Sequence, residues 1–214
     1  MGEERPPGGG RAQARATKGR APCAVADCAT CRSLRAAAVA LAVRRGIQDV
    51  TSAAVADHAG IPTDVASGHY PTLDLCLTAA FEKGTTHFRD VTNRALDREG
   101  TWQERLHAAA AATVEALDAQ PELARFCVLE VWRCNLPMLR ASRIAARRRY
   151  VDMMTAQRRA GGDEDVPEVR MELLVGAGHH LAGEEIERGD ADSLHERLDG
   201  LIEVFERGMP SPTA

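Results

Sequence analysis

From Cys31 onward the apolar positions recur with the period of a helix. Leu34, Ala38, Leu41 and Ala42 fall at i, i+4, i+7 and i+8, on one face of a helix that Gly46 is placed to end. Thr51 supplies an N-cap hydroxyl for a short helix, Ser52–His58. Ala59-Gly60-Ile61-Pro62 reads as a tight turn, and residues 63–70 as a second short helix stopped by Pro71. Beyond Pro71 the stripes lengthen. Leu73, Leu77, Ala80, Phe81, Phe88 and Val91 predict one long helix, broken at Gly100-Thr101. Leu106, Ala110, Val114 and Leu117 mark the next, Trp102–Ala119. Pro121 sits where a helix over 122–134 begins, and Pro137 opens an arginine-rich helix ending near Gly161. A polar loop over 161–166 precedes two last helices, 167–188 and Ala191–Arg207. The final one carries Leu194, Leu198, Leu201, Ile202 and Phe205 as an i, i+4, i+7, i+8, i+11 stripe. No internal repeat is present.

Composition narrows the fold class. Only 4% of the 214 residues are aromatic, whereas helix formers dominate, so the chain is expected to be all-α. The two short helices with glycine in their turn have the layout of a DNA-binding helix-turn-helix. No apolar run reaches the length of a membrane span. The longest, residues 36–43, stops at Arg44-Arg45, and no apolar leader opens the chain. A cytoplasmic protein with no membrane partner is expected. Net charge is −4 but unevenly spread. Residues 1–50 hold nine Lys/Arg against four Asp/Glu, a surplus of five, so the remainder carries −9. A basic head on an acidic body suits a polyanion at the head. The head begins with a Gly-, Pro- and Arg-rich stretch without apolar period. Four segments follow: a disordered basic arm over 1–28, a three-helix helix-turn-helix domain over 29–72, a helical bundle over 73–208, and a tail over 209–214.

One ordered set of residues carries a family resemblance. Gly46, Thr51, Val55-Ala56, Ala59-Gly60-Ile61, residues 63–68, His69-Tyr70 and Leu77 occur in the order and spacing of the TetR family DNA-binding domain. Over about residues 30–80 the chain resembles that family of transcriptional regulators. Val55, Ala56 and Ala59 suit the core of such a unit, and Gly60 the positive φ of its turn. Thr51 and Ser52 lie at a helix N-terminus, where hydroxyls and free N–H groups hold phosphate. Thr63, Asp64, Val65 and Ser67 fall on the recognition helix, and His69-Tyr70 complete the expected DNA-facing set. Three positions depart from the family pattern. Ser67 stands where a phosphate-touching tyrosine is usual, Leu73 where a lysine is usual, and Asp64 where glycine is common. The basic arm, with Arg11, Arg15, Lys18 and Arg20, offers compensating charge.

The resemblance further implies a non-enzymatic repressor that binds a palindromic double-stranded DNA operator as a homodimer and is released by a small-molecule effector. It also implies that the helical bundle over 73–208 is the effector and dimerisation domain and that its last two helices pair with their copies. The Leu194 to Phe205 stripe suits that interface or packing within one subunit. Large side chains of the middle helices are candidate effector contacts: Phe88, Phe126, Trp132, Met138, Tyr150 and Met154. Each also suits a plain core position. Arg147-Arg148-Arg149 reads as a solvated helix face or, more sharply, as a site for an anionic effector.

Cysteine spacing opens a second line. Cys23-x4-Cys28-x2-Cys31 can chelate a soft metal such as zinc, and the same spacing opens plant-type ferredoxin clusters. A fourth ligand would come from Cys76, His58 or His69. Thiols at a helix start are also reactive. The plainer reading is three small residues in a flexible arm. No other cofactor is expected. The alternative function is therefore a metal- or redox-responsive helical regulator or ligand-binding protein with weakened or absent DNA binding. His179-His180 with Glu184-Glu185 lacks the Glu-x-x-His pair of a bundle metal site. Gly176-Ala177-Gly178 follows no strand and is no dinucleotide loop.

Overall fold

The computed structural model describes residues 27–162, 167–189 and 191–207. The basic arm up to residue 26, Cys23 within it, residues 163–166 and the tail lie outside the described residues. Nine α-helices account for most of the described chain, and no strand occurs among the described residues. They are α1 (Ala29–Arg45), α2 (Ser52–His58), α3 (Thr63–His69), α4 (Leu73–Leu96), α5 (Trp102–Ala119), α6 (Pro121–Val128), α7 (Pro137–Ala160), α8 (Glu168–Arg188) and α9 (Ala191–Arg207).

Local chemistry sets most helix ends. Cys28 caps α1, its Sγ accepting the Cys31 N–H at 3.3 Å. Thr51 Oγ1 accepts the Ala54 N–H at the start of α2, and Thr101 with Glu104 closes a reciprocal capping box on α5. Helix α7 begins with Pro137 and has Leu136 at its cap position, so it has no capping side chain of its own. Asp74 of α4 supplies one across the fold. Its carboxylate accepts the N–H groups of Met138 at 3.0 Å and Leu139 at 3.1 Å.

Helix α4 is the spine. It packs on α1 at its start and on α5 and α7 further along. One buried cluster runs from α1–α3 through Leu77, Phe81 and Phe126 to Leu139, and a second gathers Leu96, Met154, Met171 and Ile202 at the far end. Gly84 lets α6 approach α4. A Cβ there would stand 2.5 Å from Cys127 Sγ and 3.0 Å from Leu123 Cδ1. Gly84→Val is expected to destabilise the protein by about 2 kcal/mol, because overpacking outweighs the modest gain in helix propensity over glycine. Thermal unfolding should register this as a fall of roughly 4–8 °C in Tm.

Two sequence expectations change. The helix expected over 122–134 ends at Val128, and a 3-10 turn over Glu130–Arg133 follows. The tighter turn tucks the Glu130 carboxylate inside, against Arg125 and Arg133. The guanidinium of Arg143 donates to the carbonyls of Val131 and Cys134, which no longer receive helical N–H groups. The α9 stripe packs within the subunit: Leu194 and Ile202 are buried there. The apolar residues left facing outward are Val169 and Leu173 on α8 and Val204 on α9. The two helices are clamped by Glu185, which is 1% exposed and accepts from Arg188 at 2.6 Å and from Arg197 of α9.

Candidate nucleic-acid interface and ligand cavity

The α2–α3 turn is closed by backbone hydrogen bonds alone. Ile61 N–H reaches Ala56 O at 2.9 Å and Gly60 N–H reaches Asp57 O at 3.0 Å, a Schellman closure with Gly60 at φ +65°. Any other L-residue there would cost about 1–2 kcal/mol. The turn leaves α3 on the outside. Thr51, Ser52, Thr63, Asp64 and Ser67 are exposed and Val65 is half-buried. Ser67 Oγ donates to Asp64 O at 2.9 Å.

His69 and Tyr70, at the end of α3, turn inward. The Tyr70 hydroxyl accepts from Arg35 of α1 at 3.0 Å. Burial pushes the phenol up to about 12, against the opposing pull of that guanidinium. Arg35 also binds Asp27 and holds its carboxyl below the ordinary value, and Lys83 of α4 lies 3.5 Å from the same group. His69 Nδ1 lies 3.4 Å from Cys31 Sγ and 3.6 Å from Cys28 Sγ. The other two sequence candidates for that cluster stay apart from it. Cys76 is buried with its thiol on Leu34 O, and burial raises its pKa to about 12; His58 sits beside Arg44.

Charge on this unit is balanced. Residues 27–72 hold Arg32, Arg35, Arg44 and Arg45 against Asp27, Asp49, Asp57 and Asp64. The basic surplus read from the head therefore resides mainly in residues 1–26, with five cations and two acids.

A cavity of about 400 Å³ lies among α4, α5, α7, α8 and α9. Phe88, Trp132, Tyr150 and Met154 stand on its wall. Phe126 is instead sealed in the core and Met138 is exposed at the start of α7, both away from the cavity. Most of the lining is apolar. Thr92 Oγ1 hydrogen-bonds Thr113 Oγ1 at 2.8 Å and the Tyr150 hydroxyl, and burial raises the pKa of that phenol. Arg89, Arg143 and Arg147 also reach the wall, and no described lining residue is Asp or Glu. The arginine triplet divides: Arg147 joins the cavity, Arg148 pairs with Asp152 and Glu168, and Arg149 faces solvent. Arg143 stacks over Trp132 at 4.9 Å, whose ring meets His179 edge-on at 5.1 Å. Desolvation, then the Coulombic influence of His180 and Arg147, holds His179 below its ordinary pKa. Arg89, Thr92, Thr113, Arg143 and His179 were not anticipated from sequence. The available signal was the i, i+4 spacing of Phe88/Thr92 and of Arg143/Arg147 on two facing helices.

No family model matches the chain, and no curated protein matches it significantly. Solved structures do. The fatty acid degradation regulator FadR from Bacillus halodurans matches with a TM-score of 0.71 at 14% identity, over 82% of this chain and 95% of that one. The transcriptional regulator FadR from Bacillus subtilis, in complex with stearoyl-CoA, matches with a TM-score of 0.70 at 14% identity, over 84% and 99%. A TetR-like transcriptional regulator from Rhodococcus sp. RHA1 matches with a TM-score of 0.67 at 19% identity, over 84% and 97%. The all-α fold of this chain is thus the fold of TetR-family regulators.

Proposed function

We propose that the chain is a TetR-like transcriptional repressor that binds a palindromic DNA operator as a homodimer and is released by a small amphipathic anion. It works in the cytoplasm by binding and not by catalysis. Among the described residues no helix is long and apolar enough to cross a membrane. One observation carries the reading: a solvent-facing recognition helix, α3, joins through the single helix α4 to a cavity of ligand size. Thr51, Ser52, Thr63, Asp64, Val65 and Ser67 are the proposed DNA contacts. His69 and Tyr70 act from behind, holding α3 on α1. A ligand shifts the operator-bound population only through unequal affinity for the two arrangements. Asp74 supports a mechanical route, since it ties the start of α4 to the start of the cavity helix α7.

The effector class follows from the wall. An apolar lining with three guanidiniums and no carboxylate suits an apolar body with an anionic head. Stearoyl-CoA, found with the Bacillus subtilis neighbour, has that character. Arg147→Ala is expected to weaken binding of a long-chain carboxylate about tenfold, as loss of one charge-assisted hydrogen bond does, while leaving the matching alcohol unchanged. Titration calorimetry with both ligands checks this. The function itself is tested by selecting bound duplexes from a random pool at physiological salt. Inverted half-sites about 34 Å apart are expected. A folded protein that enriches no sequence overturns the proposal.

A further inference from the structure

We infer that Cys28, Cys31 and His69 form a binding site for a soft divalent cation, of which zinc is the fitting example, and that the bound ion pins α3 to α1. The three donors come from opposite ends of the DNA-binding unit. The thiols sit at the cap and first turn of α1, and the imidazole is the last residue of α3. Their ligand atoms all lie within 4.8 Å of one another. The two nitrogen–sulfur separations are 3.4 and 3.6 Å. Tetrahedral zinc, with bonds of about 2.3 Å to sulfur and 2.0–2.1 Å to nitrogen, requires that separation to be about 3.5 Å. Both edges therefore already stand at the length the ion needs. The sulfur pair, at most 4.8 Å apart, closes to its tetrahedral edge of about 3.8 Å by a small side-chain rotation.

Donor chemistry selects the ion. Two thiolates and an imidazole exclude magnesium and calcium, which take oxygen ligands, and suit zinc, with one further ligand completing four-coordination. Two thiolates also neutralise the charge of the ion, so burial of Cys31 is compatible with occupancy. A redox pair would use Cys28 and Cys31 alone. The position of His69, 38 residues beyond Cys31 in the chain and aimed between both sulfurs, is what a metal site explains and a disulfide does not.

The consequence is regulatory, and this step rests on the proposed operator binding. With the ion bound, the end of α3 is held through the His69–metal bond, the two thiolates anchoring the ion on α1, as well as by the Tyr70–Arg35 hydrogen bond. Without it, that hydrogen bond and apolar packing remain. Metal-loaded protein should then present α3 more rigidly and bind the operator more tightly.

The test uses the full chain, reduced and chelator-treated, titrated anaerobically with cobalt(II) and then with zinc. Cobalt is expected to give, at one equivalent, the intense visible bands of a tetrahedral site and a thiolate-to-cobalt charge-transfer band, both erased by zinc. Cys28→Ser keeps a capping oxygen on α1 and so keeps the fold, which circular dichroism verifies. It should halve the charge-transfer intensity and weaken zinc binding by roughly 100-fold or more, since even second-shell losses cost 10–100-fold. His69→Gln should keep the thiolate band but alter the visible bands. Zinc should slow amide exchange in α3 of the native chain and not of Cys28→Ser. Absence of a thiolate band, wild-type affinity in either variant, or α3 exchange indifferent to zinc overturns the inference. None of these readouts uses DNA. A protein that passes them yet selects no operator refutes the repressor reading and leaves the metal site standing.

Discussion

Replacing Leu173 with Glu, or Val204 with Arg, is expected to turn the proposed dimer into monomers and to lower operator affinity by roughly 10²–10⁴-fold, the advantage that linking two half-site readers supplies. The α9 stripe is already engaged within the subunit. Leu194 and Ile202 are buried within the subunit, and Leu198 and Leu201 line the cavity. Most of that face is therefore already committed within the subunit. What remains outside is Leu173 at 65% exposure and Val204 at 69%, with Val169 on the same helix as Leu173. A charge at either exposed position meets its own copy, or an apolar side chain, across a two-fold axis and loses hydration without gaining a partner. Both positions are solvent-exposed in the monomer, so fold stability should change by less than about 0.5 kcal/mol. Sedimentation velocity and fluorescence anisotropy on the selected operator check the pair of effects. A dimer that survives both substitutions places the interface elsewhere.

The helix-turn-helix was legible because its signals are local. Thr51, Gly60, Pro62 and Pro71 act on neighbours a few residues away, and each ends, starts or bends a helix by its own covalent chemistry. The long helices were legible for the same reason, from Gly100-Thr101, Pro121 and Pro137. What escaped the sequence depends on contacts made across the fold. Asp74 caps a helix 64 residues away, and nothing at Leu136 signals that a distant carboxylate will replace a local cap. The 3-10 turn after α6 follows from the burial of Glu130 between two arginines, which the apolar period of residues 122–134 does not encode. The sequence offers His69 both as a DNA-facing residue, from its neighbour Tyr70 and its place after the recognition helix, and as one of three candidate ligands for the cysteines, and no local signal chooses between them. The His69 ring faces two thiols about forty residues earlier, a proximity that only the packing of α3 on α1 creates. In the cavity, side-chain size singles out Phe126 and Met138 as readily as Phe88 and Tyr150. Which of them faces the opening is set by helix rotation, and size carries no information about that.

The second large effect concerns charge. Changing Arg11, Arg15, Lys18 and Arg20 to Gln in the full chain is expected to make operator binding both weaker and far less salt-dependent. The described helix-turn-helix carries no net charge, since its four arginines are matched by four aspartates. Arg35 is committed to Tyr70 and Asp27. Ser67 and Leu73 stand where the family resemblance places phosphate anchors, and Asp64 repels phosphate from the exposed face of α3. Phosphate neutralisation then falls on Arg44 and Arg45 at the end of α1, and on the basic residues before residue 27. Each phosphate contact contributes about −0.9 to the slope of log K against log salt, so losing four per subunit, eight in the dimer, should flatten it by about 7. Between 50 and 200 mM salt the native dimer should therefore lose roughly 10⁴-fold more affinity than the variant. Base contacts from α3 are untouched, so the preferred sequence should persist while the affinity falls. Anisotropy titrations across that salt range, on the selected operator and on a scrambled duplex, measure both quantities. An unchanged slope would assign the phosphate contacts to the folded unit in spite of its balanced charge. A changed sequence preference would mean that the arm reads bases in the minor groove as well as neutralising phosphate.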